Sequence, residues 1–409
     1  MSLTPTEPGS EACARVLTLK RGEERRLVAG HLWVFSNEVD TARTPLTAFQ
    51  PGELALLHTY GGAFLGHAYV NPHALICARI VSRAADAPVD GALLERRLRA
   101  ALALRERLGA SHCYRWVFGE SDALPGLVLD RYGSLIVGQI ATAGMEQLKQ
   151  TIVAAVRAVL EPAAFFWKND SAARELEHLP QGTEAAFGEV PPEVQVVEAG
   201  VTFSAPLAGG QKTGWYYDQS ANRARMRRYL THGVRVLDVC SYVGAWGITA
   251  LRHGAAHALC VDASQTALGF AEANAARNGL RLESLRADAF DALKALGEQG
   301  RRFDAVILDP PAFIKRKKDS PKGQAAYRKL NQLALALLAE EGLLVSCSCS
   351  YHLAADELIA AVQAAARHSG RSVQILEFGG QSPDHPVHPA IPETRYLKAL
   401  FCRVTRETG

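Results

Sequence analysis

An α/β architecture, with a doubly wound parallel sheet in the C-terminal half, is the fold class this 409-residue chain predicts. Three observations carry it. From Val234 onward, apolar strand-like runs alternate with helical stretches, the pattern of parallel strands joined by crossover helices. Successive runs end on an acidic residue, at Asp238, Asp262 and Asp309. From Arg15 to about Arg83, short β-like runs alternate with turn signals, which predicts a separate small β-barrel.

Length and composition set the frame. At roughly 100–200 residues per domain, two or three domains are expected. With 48% hydrophobic and 21% charged residues the chain is globular rather than disordered. A net charge of +3 is too weak to argue for nucleic acid alone. None of the 8 cysteines forms a CxxC pair or a zinc spacing with His, so no metal site is expected. A chain this long builds a core without disulfides, which predicts a reduced, cytoplasmic protein. No signal-peptide pattern opens it, and no apolar run approaches the roughly 20 residues of a membrane span.

In chain order, residues 1–13 read as a disordered tail. Strands are expected at Arg15–Leu19, Leu32–Phe35, Leu54–His58, Ala63–Val70 and Ile76–Val81. Between them stand the turn signals Pro51-Gly52, Gly61-Gly62 and Asn71-Pro72. Lys20, Arg21, Arg25 and Arg26 lie beside Gly30–Ser36, which holds Trp33 and Phe35. Basic residues beside exposed aromatics hold RNA phosphates and bases; core aromatics with a solvated basic face are the plainer alternative. Gly91–Leu108 is an amphipathic helix with Leu and Ala on one face and five Arg on the others. Two alternating runs around Arg131-Tyr132-Gly133 predict a hairpin. A helix over Gly144–Leu160 and a strand over Ala164–Trp167 complete a second α/β unit, residues 89–195, which carries no catalytic constellation.

The third unit, residues 196–409, holds the chemistry. Gly209–Leu230 leads through Trp215, Tyr216 and Tyr217 into a basic helix; its Lys212-Thr213-Gly214 is not a P-loop. Val234–Leu251 is strand, turn and helix, with Asp238 at the strand end and Gly244 and Gly247 allowing close backbone approach. Asp262 ends the next strand, where an acidic residue accepts ribose hydroxyls. Asp288 ends a third. Phe303–Phe313 places Asp309 at the sheet's carboxyl edge, before the stiff pair Pro310-Pro311. The GxGxxG of a dinucleotide enzyme is absent. A row of carboxylates repels phosphates and suits a cationic ligand. S-adenosylmethionine (SAM) fits, with its ribose at Asp262, adenine near Asp288 and sulfonium near Asp238 and Asp309.

GHLWVFS, GESDALPGLVLDR, GGQKTGWYYDQSANR, LDVCSYVGAWGITAL, VDASQTAL, FDAVILDPPAF, SCSCS and DHPVHPAIPETRYLKALFCRV occur in this order between Arg15 and Val404. Together they resemble the ribosomal RNA large subunit methyltransferase I family, SAM-dependent 23S rRNA cytosine-5 methyltransferases. The resemblance implies a PUA RNA-binding domain at 14–88, a small central α/β domain and a Rossmann-like class I methyltransferase domain. It implies SAM as cofactor, held by Asp238, Tyr242, Gly244, Asp262, Asp288, Asp309 and Pro310. It implies 23S rRNA or a large ribosomal subunit precursor as partner, met by Lys20, Arg21, Trp33 and Lys212. A homodimer is compatible with the sequence, which does not set the oligomeric state. Two departures stand out: the family turn YTGGF reads Tyr242-Val243-Gly244-Ala245-Trp246 here, which is expected to reshape the methionine pocket, and Cys347 precedes Cys349 in the SCS motif.

Cytosine-5 chemistry needs a thiolate, because carbon 5 becomes nucleophilic only after addition at carbon 6. The alignment of Ser348-Cys349-Ser350 makes Cys349 the expected nucleophile and leaves Cys347 to packing; on a continuing strand the two share a face. Asp309 is expected to hold ring nitrogen 3 and the amino group of the base. Lys315, Arg316, Lys317, Lys318, Lys322, Arg328 and Lys329, against Asp319 alone, predict phosphate contacts beside this edge. Two rivals remain at this stage: methylation of a base nitrogen, which needs no thiol, and an RNA-binding assembly factor with a vestigial cofactor site.

Overall fold

The computed structural model of the protein describes residues 15–109 and 112–406. The expected N-terminal tail lies outside the described residues. Every strand expected in the first unit is present. In spatial order Arg15–Thr18, Glu53–His58, Phe64–Val70, Ile76–Ser82 and Trp33–Phe35 make one five-stranded sheet. Leu17, Leu57, Ala68, Val70, Ala78 and Ile80 turn inward and build its core, as the two-residue period of a strand requires.

The second unit is a five-stranded sheet in the order Gly182–Phe187, Ala164–Asn169, Leu135–Ile140, Leu127–Tyr132, Cys113–Phe118. The helices Gly91–Arg107 and Lys149–Leu160 pack on it through Leu94, Leu98, Ile152 and Val156. Asp90 caps the first helix, accepting from the Leu93 amide at 2.8 Å. The two outer strands escape sequence reasoning for opposite reasons. Gly182–Phe187 is largely exposed, without an apolar alternation. Cys113–Phe118 is mostly buried and carries Arg115, whose guanidinium pairs with the buried Asp130 at 2.5 and 2.9 Å.

The expected boundary at residue 195 falls inside a hairpin. Glu193–Glu198 pairs antiparallel with Val201–Pro206. Its apolar face packs at once on Tyr132, Leu135 and Val137 of the second unit and on Trp215, Tyr217 and Val243 of the third. The two units therefore share one core.

The third unit is a seven-stranded sheet: Glu283–Arg286, His257–Asp262, Arg235–Val239, Phe303–Leu308, Leu338–Ser348, Lys398–Arg406, Arg371–Gly380. The first five strands are parallel; Lys398–Arg406 runs against them, and Arg371–Gly380, antiparallel to it, runs with them again. The chain reverses direction across the sheet between Arg235–Val239 and Phe303–Leu308, and such a switch point opens a crevice at the carboxyl ends. The segment after residue 380 returns to the other units. Ile391 sits in the barrel core, and the Asp384 carboxylate accepts from the Arg115 amide at 3.0 Å.

Candidate active site

A cleft of roughly 450 Å³ lies at this switch point, within the usual size of a small-molecule site. Asp262, Asp288 and Phe290 line one end; Asp309, Pro310 and Cys349 line the other; the segment Gln211–Gln219 closes over it.

The turn after Arg235–Val239 is shaped by three left-handed residues, Cys240 (φ 63°), Tyr242 (φ 50°) and Gly244 (φ 81°). A Cβ on Gly244 would stand 2.9 Å from the Ala271 Cβ, so the glycine is needed for the turn to pack. Tyr242 lines the cleft and its amide donates to Asp262 Oδ2 at 2.9 Å; the Ser264 amide donates to Oδ1 at 2.8 Å. The Asp262 carboxylate is thus fixed at its strand end with lone pairs left for hydroxyl donors. Asp288 is exposed and caps the helix Ala289–Glu298 by accepting from the Phe290 amide at 2.8 Å.

Two residues expected to touch the ligand are not on the cleft wall. Gly244 shapes the turn from behind. Asp238 is fully buried and accepts from the Gly247 amide at 2.9 Å, while its Oδ1 has no partner. Burial pushes its carboxyl up to about 7, against the pull of the Gly247 amide. It braces the turn rather than facing a sulfonium, because strand pleating directs it beneath the following helix.

Asp309 does face the cleft. Gln219 Nε2 donates to its Oδ1 at 2.8 Å and Trp246 Nε1 to its Oδ2 at 3.1 Å. Burial drives its carboxyl above the usual carboxylate range, opposed by these two donors. Gln219 is itself oriented by Asn222, whose Nδ2 donates to Gln219 Oε1 at 2.7 Å. Trp246, the departure from the family turn, therefore orients a carboxylate.

The Cys349 thiol lies 3.9 Å from the Pro310 carbonyl and lines the same cleft. Burial pushes this thiol up, Lys212 pulls it down, and Asp309 raises it. Cys347 does not reach the cleft wall. The strand ends at Ser348, so Cys347 stays in the packed layer with Val345, Ala399 and Phe401 while Cys349 lies past the last paired residue.

Sequence reasoning missed Gln219, Tyr216 and Asp218 as site members, and gave Trp246 only an effect on the methionine pocket, not a bond to Asp309. The aromatic run Trp215–Tyr217 was the available signal: Trp215 and Tyr217 are buried and Tyr216 lines the cleft. The central unit anchors this segment, since Tyr132 OH meets Thr213 Oγ1 at 3.3 Å and Thr213 donates to Asp130. The expected RNA-binding residues divide. Lys20, Arg21 and Lys315, Arg316, Lys317 and Lys318 are exposed. Trp33 is half-buried, and its indole N–H donates to Glu120 of the central unit at 2.9 Å. Lys212 lies in the cleft wall, 2.8 Å from Asp218.

The donor set fits SAM. Fixed carboxylates suit a ribose and a cation, and Phe290 and Phe313 offer flat apolar walls. Asp262 would hold the ribose, Asp288 and Phe290 the adenine end, and Asp309 with Pro310 the methionine end. Fold and cleft thus define a SAM-dependent methyltransferase. Residues 167–403 match the model of the S-adenosylmethionine-dependent methyltransferase family, and residues 17–83 that of a PUA-like domain. The chain is 36% identical over 395 residues to ribosomal RNA large subunit methyltransferase I of Cronobacter sakazakii, covering 95% of this chain and 99% of the relative. The Klebsiella pneumoniae counterpart is 36% identical over 398 residues, covering 95% and 98%. SMU.776, assigned to the methyltransferases and solved with SAH, shares the fold with a TM-score of 0.81 at 20% identity, covering 95% of this chain and all of that one. The chain belongs to the ribosomal RNA large subunit methyltransferase I family.

Proposed function

We propose that the protein methylates carbon 5 of one cytosine of 23S rRNA, free or within a large ribosomal subunit precursor, through a covalent adduct to Cys349. The observation that carries this reading is the convergence of the Cys349 thiol and the Asp309 carboxyl in one cleft, at the ends of neighbouring parallel strands. The Cys349 thiolate adds to carbon 6, and the ring electrons move to make carbon 5 an enamine nucleophile. SAM, when bound, supplies the electrophilic methyl group. Asp309, its carboxyl raised by burial, donates to ring nitrogen 3 and accepts from the amino group, which stabilises the adduct. Loss of the carbon-5 proton to a base and cleavage of the carbon–sulfur bond return the thiolate.

Lys315 to Lys318 follow Asp309 on an exposed segment that leads into the helix Ser320–Leu337. With Lys20 and Arg21 they supply phosphate contacts in this reading. Replacing Lys315, Arg316, Lys317 and Lys318 with Gln is expected to weaken rRNA binding and flatten its dependence on salt, the slope falling by up to about 0.7 for each phosphate no longer neutralised. Affinity that tracks salt as in the wild type would remove this segment from the interface.

The decisive experiment incubates the enzyme with labelled SAM and rRNA from a strain lacking the gene, followed by nucleoside mass spectrometry. Label in 5-methylcytosine at one position, abolished in Cys349→Ala, is the expected result. A methylated base nitrogen, or full turnover by Cys349→Ala, would overturn the covalent route.

A further inference from the structure

The sequence assigns Lys212 to RNA, yet the fold puts its ammonium inside the cleft. Its Nζ lies 2.8 Å from Asp218 Oδ2 and 4.4 Å from the centre of the Tyr216 ring. Asp218 is 2% exposed, and the same Oδ2 also accepts from Tyr396 OH at 2.5 Å. The turn carrying Asp218 is pinned in turn, since the Ser382 amide donates to the Asp218 carbonyl at 2.9 Å. A lysine held by a buried carboxylate and an aromatic face has surrendered the freedom that a solvent-facing phosphate contact retains. Lys212 nonetheless keeps 38% of its side chain exposed, toward a cleft whose wall includes Cys349.

We infer that Lys212, clamped by Asp218 and Tyr216, is a positioning residue that holds the Cys349 sulfur as the attacking thiolate. The inference rests on the assignment of Cys349 as nucleophile. Lys212 takes no part in the proton transfer, and the thiol proton leaves to solvent. The groups around this sulfur otherwise oppose ionisation. Asp309 and Asp218 are carboxyl groups; Tyr216, Tyr396, Tyr327 and Cys347 are held neutral, their ionisation disfavoured chiefly by burial. Lys398 is the other cation nearby, and its Nζ is spent on the carbonyls of Ser350 at 2.5 Å and Tyr396 at 2.8 Å. Burial lowers Lys398 to about 8, so its charge fades as the medium turns alkaline, whereas Lys212 remains paired with a carboxylate that its own charge holds ionised.

The test is the pH dependence of iodoacetamide alkylation at Cys349, followed by mass spectrometry with fragment ions separating Cys349 from Cys347, in the full chain without SAM or RNA. Lys212→Met is expected to raise the alkylation midpoint by about one pH unit, the low end of what a neighbouring opposite charge does. Lys212→Arg is expected to keep it near the wild type. Lys212→Gln, which preserves a donor for Asp218, serves if the methionine variant does not fold, and is expected to shift the midpoint likewise. An unmoved midpoint in the folded neutral variant overturns the inference. So does weakened rRNA binding with an unmoved midpoint, which would return Lys212 to phosphate contact. Turnover retained by Cys349→Ala sinks the nucleophile assignment instead; an unmoved midpoint with an inactive Cys349→Ala sinks only the role of Lys212.

Discussion

The ends of the strands Arg235–Val239 and Phe303–Leu308 lie side by side, and each presents an aspartate. Asp238 is opposite Ile307 inside the ladder; Asp309 follows Leu308, the last paired residue, and its amide still donates to the Val239 carbonyl at 3.3 Å. Asp238 is sealed beneath the turn and braces it. Asp309 has left the pleat, is stiffened by Pro310 and Pro311, and opens on the cleft. Two steps of register and the end of the ladder separate the carboxylate that braces the turn from the one that faces the cleft, because a strand fixes which face each side chain takes and a strand end releases it.

The largest test of this contrast is Asp309→Asn. It leaves one acceptor oxygen where Gln219 and Trp246 now reach two, setting its amide N–H against one of these donors, and it has no acidic proton to share with ring nitrogen 3. A fall in kcat of about 10²–10³-fold is expected, with thermal melting near the wild type. Full turnover with a collapsed melting temperature would reverse the two roles.

Asp238→Ala addresses the other side. It leaves the buried Gly247 amide without an acceptor, and unfolding in urea should show a loss of about 1–3 kcal/mol. The pH dependence sharpens it. The folded chain raises the Asp238 carboxyl from its ordinary 3.8 to about 7, so between those values the native state binds the extra proton. The stability this confers is complete below the ordinary value and is lost as pH rises through about 7. Asp238→Asn should flatten that slope; an unchanged slope would show that the carboxylate is not buried as described.

The smallest expected effect belongs to Trp246→Phe, which deletes one donor to Asp309 and keeps most of the packing. One hydrogen bond is worth about 0.5–1.5 kcal/mol, or at most about tenfold in kcat. A drop as large as that of Asp309→Asn would mean that the indole does more than orient the carboxylate.

Much of the fold was legible along the chain. The barrel strands, the amphipathic helix after Asp90, and the strand-end carboxylates of the third sheet follow from local periodicity and turn chemistry. The edge strand Gly182–Phe187 was not legible, because it lacks the alternation that burial on one face imposes. The hairpin Glu193–Pro206 was cut by an expected boundary because its core is built with both neighbouring units.

For the site, the residue pattern along the chain already pointed to Cys349, Asp309 and Asp262, which the fold brings to one cleft. It left open which neighbours complete them. Gln219 reaches Asp309 across 90 residues and Trp246 across 63, and Lys212 changes from a surface cation into part of the cleft wall. A strand's two-residue period and a turn's backbone preferences act over a few positions, so they can be read in order. Which distant side chains meet depends on how helices and the central unit pack against the sheet, and that contest among many weak interactions is resolved only in the folded chain.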